Sequence, residues 1–575
     1  MINIPAKVTT IISCCLLILG LSSCSDLMDT DSEFVEKVED NRLQESTEAL
    51  YSVMGIIYKM QAIADRTVLL GELRGDLTIT TPAASSDLKA IVDFRVDTQN
   101  KYNQISDYYA IINNCNYYLK NVNTDVLKDG VKIFEYESVV VKAFRAWTYL
   151  QMALIYNRVP LITEPLLTEE EAREAMNCNY VGLTDICHYF IDDLKDYVDT
   201  KLPDYAGEVG PTSYFIPVRV LLGDLCLWSG RYEEAAQYYH DYLSLRTAPV
   251  RTGGGLDDAG RPKVGTYWSD ANTQEFRSIV MAMNYSGSDE AKFVIPMENN
   301  EFYGIRSELD NIFNSTSENL QFAQVIPTAR MRELSSASNY CAVISNLGMQ
   351  DTIYAPKENL FNSDFIGDLR FGANYSKRIV NNGRFARTSN EIQSIWKISS
   401  YRVTFYRTNM IYLRYAEALN RAGYPQSAFA ILKYGLYSDI VAKQIDEEER
   451  TAAGELITFD SDLFDANNTQ GVHSRGSGRA DCDTLYVLPQ PTEAKATRAD
   501  TVAYQIPLVE DLIIYEMALE GAFEGYRYYD LMRVALRRND PAYLADPISR
   551  REGTPNEALR SKLMDKANWY LPLPE

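Results

Sequence analysis

The chain has 575 residues, with 79 acidic against 56 basic side chains and a net charge of −23. Acidity on that scale argues against nucleic acid and polyanions as default partners, although one basic groove can sit inside an acidic total. The length exceeds what one simple core supports and allows several domains, while 46% apolar and 23% charged residues place the chain among folded rather than disordered proteins.

In chain order, residues 1–23 read as a leader outside the fold. Lys7 is its one positive charge, and Ile11 to Leu21 is an apolar run too short to span a membrane as a mature helix. Leu21-Ser22-Ser23-Cys24 then has the form of a bacterial lipobox, in which the cysteine is lipidated and becomes the new N-terminus. Residues 24–40 are polar and acidic, a tether between that lipid and the body. Of the remaining cysteines, Cys115 and Cys226 fall on apolar helix faces, and none shows zinc or redox spacing. The three histidines, His188, His240 and His473, are scattered, which favours solvated or structural roles over metal binding.

A helical array is expected over 41–249. Thr47 caps a helix whose Leu50, Val53, Met54, Ile57 and Met60 recur at helical spacing. The Arg74-Gly75-Asp76 triplet invites an adhesion reading, but three residues are weak evidence and a salt bridge in a loop is the plainer one. Tyr102 to Val122 and Glu137 to Asn157 carry apolar stripes, the second stopped by Val159-Pro160. Thr184 is read as the cap of the next helix. Then comes a helical hairpin: Leu221, Leu222, Leu225 and Trp228 on one face, Gly230 as the left-handed stop, Ala235 and Tyr239 on the return. This is the spacing of a tetratricopeptide repeat. Gly223, Cys226, Gly230, Ala235 and Tyr239 recur as Ala416, Leu419, Gly423, Ala428 and Leu432, all at an offset of 193. Since one such hairpin cannot bury its own apolar face, others must stack on it.

Residues 250–406 are mixed, with short β-prone runs such as Lys292-Phe293-Val294-Ile295 among Gly, Asn and Ser clusters, and are read as an irregular, loop-rich subdomain carrying the ligand site. Residues 407–575 return to repeat-like helices, with a polar insertion at 438–505. The fold class is therefore mostly α: a tetratricopeptide-like helical scaffold with an inserted irregular, β-containing subdomain. Glu516, Glu520 and Glu524 lie four apart, with Arg527 one turn on, so they are read as helix locks paired with Arg414 or Arg145. The competing reading, a carboxylate pair for glycoside hydrolysis, leaves no local signature to test. No metalloprotease, nucleophile-elbow, phosphate-loop or zinc motif occurs.

Five segments together resemble the SusD/RagB family of outer-membrane nutrient-binding lipoproteins. They are the lipobox at Cys24; Lys142-Ala143-Phe144-Arg145-Ala146-Trp147 with Arg158-Val159-Pro160-Leu161; Leu413-Arg414-Tyr415-Ala416-Glu417-Ala418; Phe523-Glu524-Gly525-Tyr526-Arg527-Tyr528-Tyr529-Asp530-Leu531-Met532-Arg533; and Tyr570-Leu571-Pro572-Leu573-Pro574. The family's Glu-Arg before the fourth segment is here Glu516-Met517. The resemblance implies a non-catalytic protein, lipid-anchored to the outer membrane and facing the cell exterior. It captures a glycan or oligosaccharide and passes it to a SusC-like TonB-dependent transporter. Peptide capture in the manner of RagB is the alternative, and a surface glycosidase a third. No cofactor is implied, and a structural calcium is left open. Sugar binding needs flat aromatic faces and polar partners for hydroxyls. Trp147 and Trp228 sit on core stripes and Trp569 in the closing motif. The ligand candidates are therefore Trp268 and Trp396, then Tyr267, Tyr285 and Tyr303, with Tyr102, Arg74 and Asp76 from the loops around the first helix pair.

Overall fold

The structure is a computed structural model that describes residues 46–128, 130–175, 177–203, 212–245, 290–299, 302–315, 322–338, 341–346, 349–354, 367–381, 389–395, 397–466, 469–477, 483–492 and 497–573. Cys24, Tyr267, Trp268, Tyr285 and Trp396 lie outside them. Among the described residues no helix is long and apolar enough to cross a membrane.

Helix α1 (Ser46–Glu72) is followed by the short strand β1 (Thr78–Thr80) and α2 (Ser86–Val92). The array continues through α3 (Ile105–Asn121), α4 (Glu135–Tyr156), α5 (Leu183–Leu194), α6 (Val218–Ser229) and α7 (Tyr232–Ser244). Thr184 is not the cap of α5, which starts one residue earlier with Gly182 in the cap position. The irregular region supplies β2 (Ala291–Pro296), β3 (Val325–Pro327), α8 (Ala329–Ala337), α9 (Leu369–Asn374), β4 (Tyr375–Asn381), β5 (Ser389–Ile395) and β6 (Arg402–Arg407). Helices α10 (Thr408–Ala422), α11 (Pro425–Lys433), α12 (Arg498–Glu520), α13 (Arg527–Arg538) and α14 (Ala542–Ser549) complete the set used below. The polar stretch 438–505 holds the short helices Ser438–Gln444 and Glu447–Ala453, and α12 begins within it.

Neighbours along the chain stack in space: α1 on α3 and α4, α4 on α5, α5 on α6, α6 on α7, α7 on α10, and α10 on α11 and α12. Helix α13 packs back on α1 and closes the array. The hairpin α6/α7 and its echo α10/α11 are built alike. Gly230 and Gly423 end the first helix of each in the left-handed region, at φ 83° and 102°. Tyr239 packs so tightly on Gly223 that a Cβ there would lie 2.5 Å from its ring. The two hairpins are joined at Asp224, whose carboxylate accepts from Tyr239 (2.6 Å), Tyr406 (2.7 Å) and Arg414 (2.5 Å).

Two of the attachments that fix the irregular region to this array lie in the core. Strands β2 and β6 pair antiparallel and carry Phe293 and Phe405 onto Trp147 of α4, with ring centroids 5.5 and 5.1 Å away. Edge-to-face contacts of this kind add about 0.5–1.5 kcal/mol each to area burial. The second attachment is a buried ion network. Glu516, Glu520 and Glu524 do meet arginines, but not Arg414, which holds Asp224, nor Arg145, which holds Asp193 at 2.9 Å. Their partners come from the inserted segments. Arg370 reaches Glu516 (2.7 Å) and Glu520 (3.2 Å); Arg407 reaches Glu520 (2.6 Å) and Glu524 (2.7 Å); Lys397 reaches Glu524 (2.5 Å). Sequence reasoning favoured neighbouring repeats because spacing does not show what covers a helix face; nor do the three share one helix, since α12 ends at Glu520 and Glu524 lies in the turn before α13.

His473 completes the network, bonded to Glu516 (2.6 Å) and Asp483 (3.2 Å) and stacked on Tyr486. Burial opposes its charge, but the two carboxylates win and hold its pKa up at about 9, against an ordinary 6.5. A folded pKa above the unfolded one contributes stability that is complete below about pH 6.5 and lost as pH rises through 9. The wild-type melting temperature should therefore fall between pH 7 and 9 more steeply than that of His473→Gln. Parallel melting curves in that window would contradict a protonated His473.

Candidate functional site

The Arg74-Gly75-Asp76 triplet is the hub on which the site rests. Arg74 is 1% exposed; it donates to the carbonyls of Leu70 (2.8 Å) and Trp569 (2.9 Å) and to the Tyr529 hydroxyl (3.0 Å), and its guanidinium lies 4.1 Å from the Tyr528 ring. Asp76 is fully buried and takes a two-pronged ion pair from Arg527 at 2.6 and 3.0 Å. Both are corrected from ligand contacts to scaffold residues, because no face of either is left for a ligand. Tyr102 is corrected likewise: it is 4% exposed, burial pushes its phenol up to about 12, and Lys101 covers its ring. Tyr303 is 87% exposed, on a loop that Gln61 of α1 ties down by its backbone.

From Asp76 the chain enters β1, which pairs antiparallel with β3 in the register Thr78↔Pro327, Ile79↔Ile326, Thr80↔Val325. Thr328 fixes the far end, its hydroxyl donating to the Asp76 carbonyl at 2.6 Å. Thr81 extends the pairing: its N–H and hydroxyl donate to the carbonyls of Gln324 (2.8 Å) and Ala323 (2.9 Å). Gln393 of β5 locks the third side, its amide spanning the carbonyls of Phe313 and Val325 at 2.8 Å each. Tyr375 opens β4 opposite Ile395, stacks on Phe371 at 5.3 Å, and lies 5.9 Å from the Arg332 guanidinium of α8.

These segments enclose a cavity of about 610 Å³. Thr81, Ser315 and Gln393 give it hydroxyls and an amide, Tyr375 and Arg332 a side wall, and Pro82, Ala83 and Phe322 a rim. Phe322 is 60% exposed, an aromatic ring in a lining that is otherwise mixed, with Ala323, Ile326 and Pro327 beside the polar groups. None of the described lining residues is a carboxylate. None of Tyr102, Tyr303, Arg74 and Asp76 lines the cavity. Trp396 directly follows Ile395, the register partner of Tyr375. Phe322, Arg332 and Tyr375 were not among the candidates read from sequence. The available signal was an isolated phenylalanine in the polar run Asn319-Leu320-Gln321-Phe322-Ala323-Gln324, and the tryptophans outweighed it.

A second cavity, about 660 Å³, opens on another side of α8 and is lined by Arg330, Glu333, Asp511, Asp540, Tyr543 and Asp546 among others. Its carboxylates are largely spoken for: Glu333 by Arg330 (3.2 Å), Asp511 by Arg538 and Tyr543 (2.8 and 3.0 Å), Asp546 by Arg560 (2.7 Å). Glu516 and Glu520 of α12, Glu524 in the turn after it, and their network lie inside the protein, with Glu516 and Glu520 at 0% exposure, out of reach of a substrate. Among the described residues no three His, Cys, Asp or Glu side chains converge as a metal site.

No family model and no curated protein matches this sequence. Solved structures match it at high probability, and many are SusD superfamily proteins of Bacteroides. One from Bacteroides thetaiotaomicron is 12% identical, covers 92% of this chain and 97% of its own, and has a TM-score of 0.56. A second from the same organism is 17% identical, covering 93% and 95%, with a TM-score of 0.51. A SusD-like carbohydrate binding protein from Bacteroides fragilis is 13% identical, covering 87% and 88%, with a TM-score of 0.51. The chain thus has the mostly helical fold of the SusD superfamily over nearly its whole length.

Proposed function

We propose that this protein captures glycans at the cell surface. In this reading it is tethered to the outer membrane through a lipid on Cys24 and hands its ligand, uncut, to a SusC-like TonB-dependent transporter. The observation that carries the proposal is the cavity behind Phe322. An exposed aromatic ring matches the apolar face of a pyranose, while the Thr81 and Ser315 hydroxyls among the lining residues suit its hydroxyls. Hydrolysis would need two carboxylates about 5–10 Å apart across the scissile bond, and the described lining has none. The carbohydrate-binding description of the Bacteroides fragilis neighbour supports the same reading.

The test is affinity electrophoresis of the full-length chain, in mild detergent, through gels carrying a polysaccharide panel. Wild type should be retarded by at least one glycan, without shortening it. Phe322→Ala should weaken that retardation at least tenfold, about 1.4 kcal/mol, with an unchanged melting temperature. Equal retardation of the variant would remove the ligand from this cavity. Retardation by no glycan, with binding of peptides instead, would move the reading to peptide capture; chain shortening would make it a hydrolase.

A further inference from the structure

Where α4, α6, β6, α10 and α13 meet, the scaffold holds a much smaller cavity, of about 40 Å³, with Gln151, Asp224, Arg414, Asp530 and Arg533 among its described lining residues. Its size decides the class of occupant. Small-molecule sites run to about 300–1,000 Å³, far more than this space gives. One water takes about 30 Å³ of liquid and needs roughly two to four polar partners, so the cavity suits one or two waters. Its polar groups point the same way. Asp530 is 2% exposed and accepts from Arg533 through one carboxylate oxygen, at 2.9 Å. Its other oxygen is buried and has no hydrogen-bond partner in the protein, a costly state for a charged acceptor. Burial pushes the carboxyl up, Arg533 pulls against that, and Glu417 adds to the rise. The nearby cations are already engaged: the Arg533 fork lies on Glu417 at 2.9 and 2.6 Å, and Arg414 holds Asp224 at 2.5 Å. The half-buried Gln151 of α4 brings an amide that makes no side-chain hydrogen bond among the described residues. A cation fits less well than water, because the lining carboxylates Asp224, Glu524 and Asp530 all face arginines, and an added positive charge would meet the same arginines at close quarters.

We infer that this cavity is an internal hydration site, in which an ordered water donates to the second oxygen of Asp530 and accepts from the Gln151 amide. The direct ion pairs of α13 run to α10, through Arg533 and Glu417, and to Asp76 after α1, through Arg527. The water adds α4 to the elements that α13 holds, so the closing helix is fixed on one more side by a group the sequence does not encode. The inference goes beyond the glycan reading and stands apart from whatever the Phe322 cavity binds.

The test is a crystal structure of the full-length chain in mild detergent, resolved well enough to place ordered water, with a second crystal soaked in a rubidium salt. A water peak is expected within about 3.2 Å of the second Asp530 oxygen, with no anomalous rubidium signal in the cavity. In solution, magnetic relaxation dispersion of the water oxygen counts long-lived internal waters. Asp530→Leu, which removes the acceptor and fills the space, should lose at least one of them. Gln151→Leu removes the second partner from a half-buried position and should lose the same contribution with the melting temperature still close to wild type. The wild-type crystal decides the matter even if Asp530→Leu does not fold. A dry cavity overturns the inference. A rubidium peak overturns it in favour of a monovalent cation site. An unchanged water count in both variants overturns it as well.

Discussion

Arg407→Met lowers the stability of the protein by about 3–5 kcal/mol, the range for removing one partner from a buried ion pair. The guanidinium is 1% exposed and contacts Glu520 at 2.6 Å, Glu524 at 2.7 and 2.9 Å, and Glu290 at 3.1 Å. Its loss leaves Glu520 and Glu524 charged in the interior, where burial alone would drive them towards protonation. At present the arginines around them reverse that, and both carboxyls are held below the usual range. Because the network bolts β6, α9 and Lys397 to α12, the defect should appear as a lower melting temperature for the scaffold and a loss of ordered irregular region together. Arg407→Lys, with a charge but no fork, should fall between. A melting temperature of Arg407→Met within a degree of wild type would show that the network carries no net stability.

Gly525→Ala should cost about 2–5 kcal/mol. Its φ is +84°, where an L side chain is strained by about 1–2 kcal/mol. A Cβ would also lie 2.6 Å from the Val68 Cα of α1, an overlap that backbone must absorb at about 1–3 kcal/mol. On the facing side, a Cβ on Gly71 would lie 1.7 Å from the Gly525 carbonyl oxygen. The crossing of α1 with the turn before α13 thus tolerates no side chain on either partner. Gly55, exposed on the same helix with nothing within 4 Å of its would-be Cβ, is the control. Gly55→Ala should gain about 0.5–1 kcal/mol. Chemical denaturation of the three proteins checks the order, and a Gly525→Ala variant as stable as wild type would refute the tight crossing.

What could be read from sequence followed the range of the signal. Helical hairpins announce themselves within 20 residues, so α6/α7 and α10/α11 were legible together with their shared register. The β2 run and the buried Trp147 were legible for the same reason. Pairing between distant segments was not. Strands β1 and β3 are three residues each and some 245 apart in sequence, and nothing in Thr78-Ile79-Thr80 points to Val325-Ile326-Pro327. The partners of Glu516, Glu520 and Glu524 escaped because helical spacing does not show what covers a face, and Glu524 lies in the turn beyond α12. The Arg74-Gly75-Asp76 loop was rightly suspected of a salt bridge, yet its polar residues also suggested ligand contacts, since exposure cannot be told from burial in a short polar loop. The cavity itself was invisible, being assembled from five stretches with no common period.

One closure in the fold bears on how the chain reaches it. The buried Arg74 has the Trp569 carbonyl as an acceptor, Tyr528 donates to that same carbonyl at 2.7 Å, Asn103 donates to Pro572 at 2.9 Å, and Leu571 bonds Ile155 at 2.9 Å. Residues 569–572 therefore finish the burial of α1 and α4, about 400–500 residues away in sequence. Without them, Arg74 beside α1 is a buried guanidinium with incomplete acceptors, and α4 lacks a covering segment. Contacts of such sequence separation close late in folding, because the loop entropy must be lost before they form. A chain cut before Trp569 should be destabilised in α1 and α4 together, and not behave as a shorter native protein.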